Sequence, residues 1–189
     1  LRARGVEPMA LLSLMARLGS SKPVELVASM EDLVAGFDVG SFGAAPTKFD
    51  AEDLFPLTRH HVQGLPFSAV AERIAGLGVP ADMAEAFWAV AKGNITILDD
   101  LGPWWQLFRD GAEPVVDEAD RDFVRQALGL LPAQPWTTAT WGEWTSAVKE
   151  ATGRKGKDLF RPLRRALTGR DAGPEMADVM PLLRKVPSV

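Results

Sequence analysis

The chain has 189 residues, of which 47% are hydrophobic and 24% are charged, and its formal net charge is −4 at pH 7. It has no cysteine and only two histidines, the adjacent His60 and His61, so disulfides, thiolate zinc sites and cysteine nucleophiles are excluded. No apolar run approaches the roughly 18 residues that a membrane-spanning helix needs. The composition therefore predicts a globular, cytoplasmic protein with no metal site and no membrane contact.

Periodic apolar residues predict helices in the first quarter of the chain. A first helix is predicted over residues 9–18. Ser29 has the side chain of an N-cap and precedes a short helix that would stop near Gly36. The Gly-, Ser- and Pro-rich residues 37–49 predict an ordered loop. Strand patterns are scarce, and residues 24–27 are the best candidate for a brief extended segment.

Helix start signals continue through the middle of the chain. Asp50 is predicted to cap one helix, and Pro66 and Pro80 are each predicted to begin another, because proline fits the first turn of a helix. Residues 95–108 predict one or two short helices, broken at the Gly-Pro pair of residues 102–103. The middle of the chain is therefore also expected to be helical.

The last part of the chain repeats the helical pattern. Residues 117–131 predict one helix, and the Pro-rich residues 131–135 indicate a boundary between two helical subdomains. Thr140 and Glu143 form a Thr-x-x-Glu capping box, which predicts a helix that runs to about Ala151. The fold class that follows from all these elements is mainly α.

The charges are distributed unevenly along the chain. Residues 95–122 hold eight acids against Arg109 and Arg121, namely Asp99, Asp100, Asp110, Glu113, Asp117, Glu118, Asp120 and Asp122. Residues 151–170 hold seven bases against Asp158 alone, namely Arg154, Lys155, Lys157, Arg161, Arg164, Arg165 and Arg170. The net charge alone argues against nucleic-acid binding. A polyanion responds to the local field, however, so an acidic protein can bind RNA through a basic part.

The most informative segment is GRKGKDLFRPLRRALTGRDAGPEM, residues 153–176. If residues 159–168 are helical, the spacing places Leu159, Leu163, Ala166 and Leu167 on one face. The other face then carries Lys157, Arg161, Arg164, Arg165 and Thr168. Such a cationic face could bind single-stranded RNA, because guanidinium groups pair with phosphates and stack on bases. It could also be an ordinary solvated face, which the pattern alone favours because exposed Lys and Arg are usual.

Three further residues or ranges define the ends of this segment. Pro162 is costly inside a helix, so it is expected in a first turn or at a kink. Gly169 is placed for a left-handed stop, and residues 170–173 are expected to form a turn before the last helix.

The tryptophans present a similar choice between two roles. They could serve as platforms on which bases stack, but their helical spacing beside Leu and Val favours a place in the core. We therefore expect a structural role first for Trp88, Trp104, Trp105, Trp136, Trp141 and Trp144.

Three segments, in this order, resemble the C-terminal half of bacterial-type glutamyl-tRNA synthetases. VEPMALLSLMARLGSS, residues 6–21, is similar to the helix that follows the signature loop of the catalytic domain. FDVGSFGAAPTKFDAEDL, residues 37–54, is similar to the end of the stem-contact domain. WTSAVKEATGRKGKDLFRPLRRALTG with the later GPE, residues 144–175, is similar to the last anticodon-binding subdomain. The PLR-x-ALTG…GPE combination is the most specific part, and the related cysteinyl and glutaminyl enzymes lack it.

The resemblance implies a helical anticodon-binding bundle in two subdomains. A short remnant of the stem-contact domain would occupy residues 1–49. The two helical anticodon-binding subdomains would occupy residues 50–131 and 132–189.

The resemblance also implies an activity, the ATP-dependent charging of tRNA with glutamate in translation. The HIGH-like and KMSKS-like motifs of the family and any Gly-rich phosphate loop are absent from this sequence. We therefore expect a piece of a longer glutamate–tRNA ligase that is inactive alone, since ATP and Mg²⁺ would bind in the catalytic domain. The expected state is a monomer that binds tRNA-Glu and, if discrimination is relaxed, tRNA-Gln.

Site residues are carried over position by position. The resemblance places Arg164, Gly173 and Met176 at positions that contact anticodon bases. Neighbouring cations on the same basic segment extend this set: we expect Arg161 and Arg165 at the anticodon, and Arg154, Lys155 and Lys157 at the tRNA backbone.

One position departs from the family pattern. Some members read the last anticodon base with an arginine and so reject tRNA-Gln, and an ungapped alignment puts Asn94 there. A short amide cannot replace a bidentate cation, so an enzyme that tolerates tRNA-Gln is a live hypothesis. An alternative of another class is a freestanding helical adaptor of the same fold that docks to a protein through the acidic residues 99–122.

Overall fold

The computed structural model describes residues 1–185, and within them the regular structure consists of α-helices and short 3-10 turns without a strand. The helices of this described part are α1 (Pro8–Met15), α2 (Met30–Ala35), α3 (Leu54–Gly64), α4 (Phe67–Gly76), α5 (Ala81–Ala91), α6 (Leu101–Asp110), α7 (Arg121–Gly129), α8 (Thr140–Thr152), α9 (Lys157–Thr168) and α10 (Met176–Val179). The prediction of a mainly α fold is confirmed. Residues 24–27 form no strand, and the β-pairing in the described residues is one isolated bridge between Ser20 and Phe42.

The chain forms two compact units. The first comprises Leu1–Glu72 with Ile95–Leu101, and the second comprises Arg73–Asn94 with the chain from Gly102 onward. The division at residues 49/50 and 131/132 stays a prediction, and residues 186–189 at the end of its third part lie outside the described residues.

The first unit is built on the contact between α1 and α3. Its core is a small apolar cluster of Val6, Ala10, Leu14, Leu54 and Leu57. The predicted cap of α2 is confirmed, because the Ser29 side chain accepts a hydrogen bond from the backbone N–H of Asp32. A side-chain oxygen at this place satisfies an N–H that has no partner inside the helix.

The second unit has an aromatic core. The ring of Phe87 meets the rings of Trp105 and Phe108 edge to face, at centroid distances of 5.8 and 5.9 Å. Trp144 of α8 is buried and donates its indole N–H to the carbonyl of Ala127 in α7 at 2.8 Å. Five of the six tryptophans are buried and Trp141 is half-buried, in agreement with the core positions that the sequence predicts for them.

Two local predictions in the second half of the chain are wrong. Helix α6 is not broken at Gly102 and Pro103: it begins at Leu101, and a proline is tolerated in a first turn because its missing N–H would have no partner there. Thr140 does not cap α8. Its hydroxyl instead accepts a hydrogen bond from the N–H of Thr137, and Ala139 occupies the N-cap position without a side-chain bond.

No single helix of residues 1–185 is long and apolar enough to cross a membrane. The segments Phe67–Gly76 and Ala81–Asn94 meet the length and composition criteria only as a bent pair.

Helix α9 ends where the sequence predicts. Gly169 has φ 66° and adopts the left-handed conformation that ends the helix. Its N–H donates a hydrogen bond to the carbonyl of Arg165 at 2.8 Å. A Cβ atom at this position would lie 3.1 Å from the carbonyl oxygen of Glu113. Both the conformation and the space therefore require glycine.

We predict that Gly169→Ala lowers the free energy of unfolding by about 1–3 kcal/mol, the cost of holding a non-glycine residue in this strained region. Gly142→Ala is the matched control, because Gly142 lies inside α8 with no atom within 4 Å of an added Cβ. That change should stabilise the protein by up to about 1 kcal/mol. Urea denaturation of the two variants measures both effects, and equal stabilities would show that the conformation at Gly169 is not required.

Candidate nucleic-acid interface

Helix α9 separates an apolar face from a cationic face. Leu159, Leu163, Ala166 and Leu167 are at most 1% exposed, as their predicted spacing requires. This face packs towards α7 and α8. Because these four apolar residues are buried in the core, the charged side chains of the helix lie on the remaining surface, which also carries Phe160.

Pro162 lies inside α9, at the sixth residue of the helix, so the first of the two predicted positions, the first turn, is wrong, and a kink stays a prediction. A proline at this place cannot donate the hydrogen bond that would reach the carbonyl of Asp158. The guanidinium group of Arg154 takes over this role and donates to that carbonyl at 3.3 Å. The helix tolerates Pro162 because the carbonyl of Asp158, which has no backbone donor there, accepts a hydrogen bond from the Arg154 side chain instead.

Arg154 makes two further contacts in the same place. Its Nη1 lies 2.5 Å from Oδ1 of Asp120, and its guanidinium lies 4.0 Å from the ring centroid of Phe123. These contacts connect the start of α9 to α7 and to the turn before it. The residue that we expected at the tRNA backbone therefore has a structural role.

Two more of the expected cations are paired with carboxylates. Arg165 lies 2.6 Å from Asp117 and is 14% exposed, and Arg161 lies 2.6 Å from Asp171 on the surface. The hydrogen bond from Arg161 lowers the pKa of Asp171, and the same bond raises the pKa of Arg161. Both groups therefore stay charged at neutral pH, and the positive field of each arginine is largely cancelled nearby.

Four cations of this surface have no carboxylate partner among residues 1–185: Lys155, Lys157, Arg164 and Arg170. Arg164 donates from Nη1 to the carbonyl of Pro174 at 2.9 Å. The guanidinium of Arg170 lies 4.2 Å from the ring centroid of the buried Trp104. Both arginines are held in place by neutral groups, so they keep their full positive charge for a ligand.

Gly173 lies beside both of these groups. A Cβ atom at Gly173 would be 3.5 Å from Nη1 of Arg164 and 3.5 Å from the indole of Trp104. The absence of a side chain leaves this side of the Arg164 guanidinium uncovered. The sequence-predicted pair of Arg164 and Gly173 is therefore brought together by the structure.

Met176 and Asn94 are placed differently. The Met176 side chain is 2% exposed and belongs to the core of the second unit. Asn94 is exposed in the short 3-10 turn after α5, where its amide donates to the carbonyl of Val90 at 3.4 Å. Neither side chain lines the surface depression next to α9 that contains Arg164.

That depression is an open groove of about 420 Å³, lined by Lys157, Phe160, Arg161, Arg164 and Asp171. Phe160 and Arg170 were missing from the sequence-predicted site. Arg170 could have been found from its place in the basic segment. The exposure of Phe160 could not, because a Phe beside Leu159 has the pattern of a core residue.

The described residues thus form a helical bundle in which one arginine-bearing helix presents cations at the surface beside a short loop. The model of the anticodon binding domain family matches residues 66–187. The chain belongs to this family.

The relatives of the chain refine this assignment. Glutamate–tRNA ligase 1 of Cereibacter sphaeroides is 74% identical over 98% of this chain and 42% of the relative. Glutamate–tRNA ligase 1 of Paracoccus denitrificans is 63% identical over the same shares. The chain thus spans less than half the length of these curated relatives. The resemblance to glutamyl-tRNA synthetases that the sequence segments indicate is confirmed.

The crystal structure of the glutamate–tRNA synthetase from Elizabethkingia anophelis has the same fold. The TM-score is 0.75 with 21% identity, and the match covers 96% of this chain and 39% of that chain. A second structure, of the glutamate–tRNA ligase from Elizabethkingia meningosepticum in complex with its amino acid, matches equally well.

Because Arg154 joins three groups, we predict that Arg154→Ala lowers the free energy of unfolding by about 1–3 kcal/mol, as it leaves a carbonyl and a carboxylate without their donor. Lys155→Ala is the control, since the neighbouring Lys155 is exposed and makes no ion pair within the described residues. It should change stability by less than about 0.5 kcal/mol. Thermal or urea unfolding compares the two, and equal effects would remove the structural role of Arg154.

Proposed function

We propose that this chain binds the anticodon arm of a tRNA and is the anticodon-reading part of a longer glutamate–tRNA ligase. The observation that carries the proposal is the state of Arg164. Its guanidinium is oriented by the Pro174 carbonyl, uncovered beside Gly173 and not neutralised by a carboxylate. A guanidinium has five N–H donors, and within residues 1–185 Arg164 uses one of them.

The remaining donors of Arg164 suit an unpaired base or a phosphate. A planar fork of N–H groups can bind two acceptors at once, which is how arginine recognises base edges and phosphate oxygens. Lys155, Lys157 and Arg170 add positive charge near the same helix and form no ion pair within the described residues. This local field supports binding of a polyanion despite the net charge of −4.

The adaptor alternative is less well supported, because most carboxylates of residues 99–122 are engaged inside the chain. Asp117 and Asp120 bind Arg165 and Arg154, and Asp100 accepts the backbone N–H groups of Thr96 and Ile97. Asp110, Glu118 and Asp122 pair with the nearby arginines Arg109, Arg121 and Arg125. Little of the acidic charge is left to attract a basic protein partner.

The chemistry of charging belongs, in this proposal, to the part of the longer protein that this chain does not cover. ATP, Mg²⁺ and glutamate would bind there, and this chain would hold the tRNA while its acceptor end reaches that part. The tRNA is tRNA-Glu, with tRNA-Gln as a second substrate where discrimination is relaxed. The names of the relatives support this assignment, and we propose a cytoplasmic monomer as the working form.

The proposal is tested by Arg164→Ala. We predict that this change weakens binding of a tRNA-Glu anticodon stem-loop by about 1–3 kcal/mol, the cost expected for a direct base contact. Arg125→Ala is the control, because Arg125 is an exposed arginine on α7 that pairs with Asp122. Fluorescence anisotropy of a labelled stem-loop gives both dissociation constants.

Salt dependence separates this interface from a protein-docking surface. Affinity for the stem-loop should fall steeply with added salt, because each neutralised phosphate releases counterions. Equal affinities of the wild-type chain and Arg164→Ala would remove Arg164 from the site. If the wild-type chain has no measurable affinity for any tRNA stem-loop, the proposed function itself fails.

Asn94 supplies a separate prediction about specificity. In the longer enzyme, Asn94→Arg should increase the preference for charging tRNA-Glu over tRNA-Gln, because an arginine is longer, charged and binds two acceptors with a donor-only fork, whereas an asparagine amide offers one donor group and one acceptor. The measurement is the ratio of kcat/KM for the two tRNAs. Lys92→Arg, in the same 3-10 turn, is the control for a change of side chain at this place. Unchanged ratios would exclude Asn94 from tRNA selection.

A further inference from the structure

Phe160 is an exposed aromatic side chain on the cationic surface of α9. Its side chain is 45% exposed. In the described part of the second unit, the other exposed large hydrophobic residues are Val115 at 40% and Leu130 at 41%, and both are aliphatic. The neighbouring positions of α9 that face the core, Leu159 and Leu163, are at most 1% exposed, so the helix had buried positions for apolar residues and Phe160 does not occupy one.

The Phe160 ring is supported from behind by two tryptophans of α8. Its centroid lies 6.2 Å from the ring of Trp141, at an interplanar angle of 36°. Trp141 in turn meets Trp144 edge to face at 5.6 Å. Trp144 is 1% exposed and fixed by its hydrogen bond to the carbonyl of Ala127. The rings of Trp144, Trp141 and Phe160 thus form a series of contacts that leads from the core to the surface, and the exposed ring packs against fixed neighbours.

Cations surround the exposed ring. Lys157, Arg161 and Arg164 line the same groove as Phe160, together with Asp171. Within residues 1–185 Arg161 forms an ion pair with Asp171, whereas Lys157 and Arg164 form none, although the charge of Lys157 also acts on Asp171. An unpaired nucleotide offers the two groups that such a surface fits, an aromatic face and an adjacent phosphate. Aromatic side chains and cations combine in this way on proteins that bind single-stranded nucleic acid.

We propose that the ring of Phe160 is a platform on which one unpaired base of the tRNA anticodon loop stacks, with Lys157 next to the phosphate of that nucleotide. This inference rests on the proposed function and adds a stacking site to it. Every base has an aromatic face, so stacking on Phe160 contributes affinity without selecting one base. Selection is left to groups with directed donors, such as Arg164.

The experiment compares Phe160→Ala and Phe160→Trp in the full chain, with a tRNA-Glu anticodon stem-loop as the ligand. Phe160→Ala should raise the dissociation constant roughly 5- to 100-fold, the range found when a stacking aromatic side chain is removed. Phe160→Trp keeps a stacking surface and should stay within about threefold of the wild type. Leu130→Ala is the matched control, because it also truncates an exposed apolar residue of the same unit and should leave the affinity unchanged.

The RNA side of the contact is found with stem-loops that lack a single base of the loop. At one position, loss of the base should weaken binding to the wild-type chain and make no further difference to Phe160→Ala, because both changes remove the same stack. A 2-aminopurine at that position should lose fluorescence when the wild-type chain binds and keep it with Phe160→Ala.

Several outcomes would overturn the inference. Equal affinity of the wild-type chain and Phe160→Ala, or additive effects of Phe160→Ala with every abasic position, would show that no base stacks there. A fall in self-association of Phe160→Ala by sedimentation, without loss of RNA affinity, would assign the ring to a contact between copies. In each case the proposed function still stands if Arg164→Ala weakens stem-loop binding as predicted above. Circular dichroism spectra of Phe160→Ala and Arg164→Ala that match the wild type exclude misfolding.

Discussion

The burial of one face of α9 is the constraint on which the rest of the site depends. Four apolar positions of the helix are consumed in the core of the second unit, and the two ends of α9 are set by glycines at 156 and 169. The helix can therefore neither rotate nor lengthen without exposing apolar area or straining its backbone. Its cations keep fixed directions as a result, and a binding surface can be built from them without further ordering when the ligand arrives.

The same surface shows why a sum of charges describes this chain poorly. Carboxylates that come from distant parts of the sequence neutralise Arg165, Arg161 and Arg154, whereas Arg164 and Arg170 are oriented by a carbonyl and by an indole. The cations thus fall into a group that stabilises the fold and a group that is available to a ligand. In the proposed interface the charge of the second group matters for RNA binding, whereas the geometry of the first group matters for stability.

Local patterns in the sequence predict much of the fold because the forces behind them act within a few residues. The cap at Ser29, the stop at Gly169 and the two faces of α9 all follow from neighbours one to four positions away. The compensation for Pro162 could not be predicted, since the donor that satisfies the carbonyl of Asp158 is a side chain outside the helix. The pairing of Asp117 joins residues 48 positions apart, and no local pattern carries such information. The two faces of the basic helix were therefore predictable from the sequence, whereas the division of its cations into paired and unpaired groups was not.

The proline inside α9 has a mechanical consequence. The backbone hydrogen bond that it removes lies between the first turns of the helix, which carry Lys157 and Phe160, and the later turns, which carry Arg164. At this place the helix is held together by packing and by the Arg154 side chain instead of by a continuous backbone ladder, and prolines are where helices bend. The seating of these first turns therefore depends on side chains, namely on the buried Leu159 and on the contacts of Arg154. Loss of the Arg154 side chain would disturb the place of Lys157 and Phe160 before it disturbs that of Arg164.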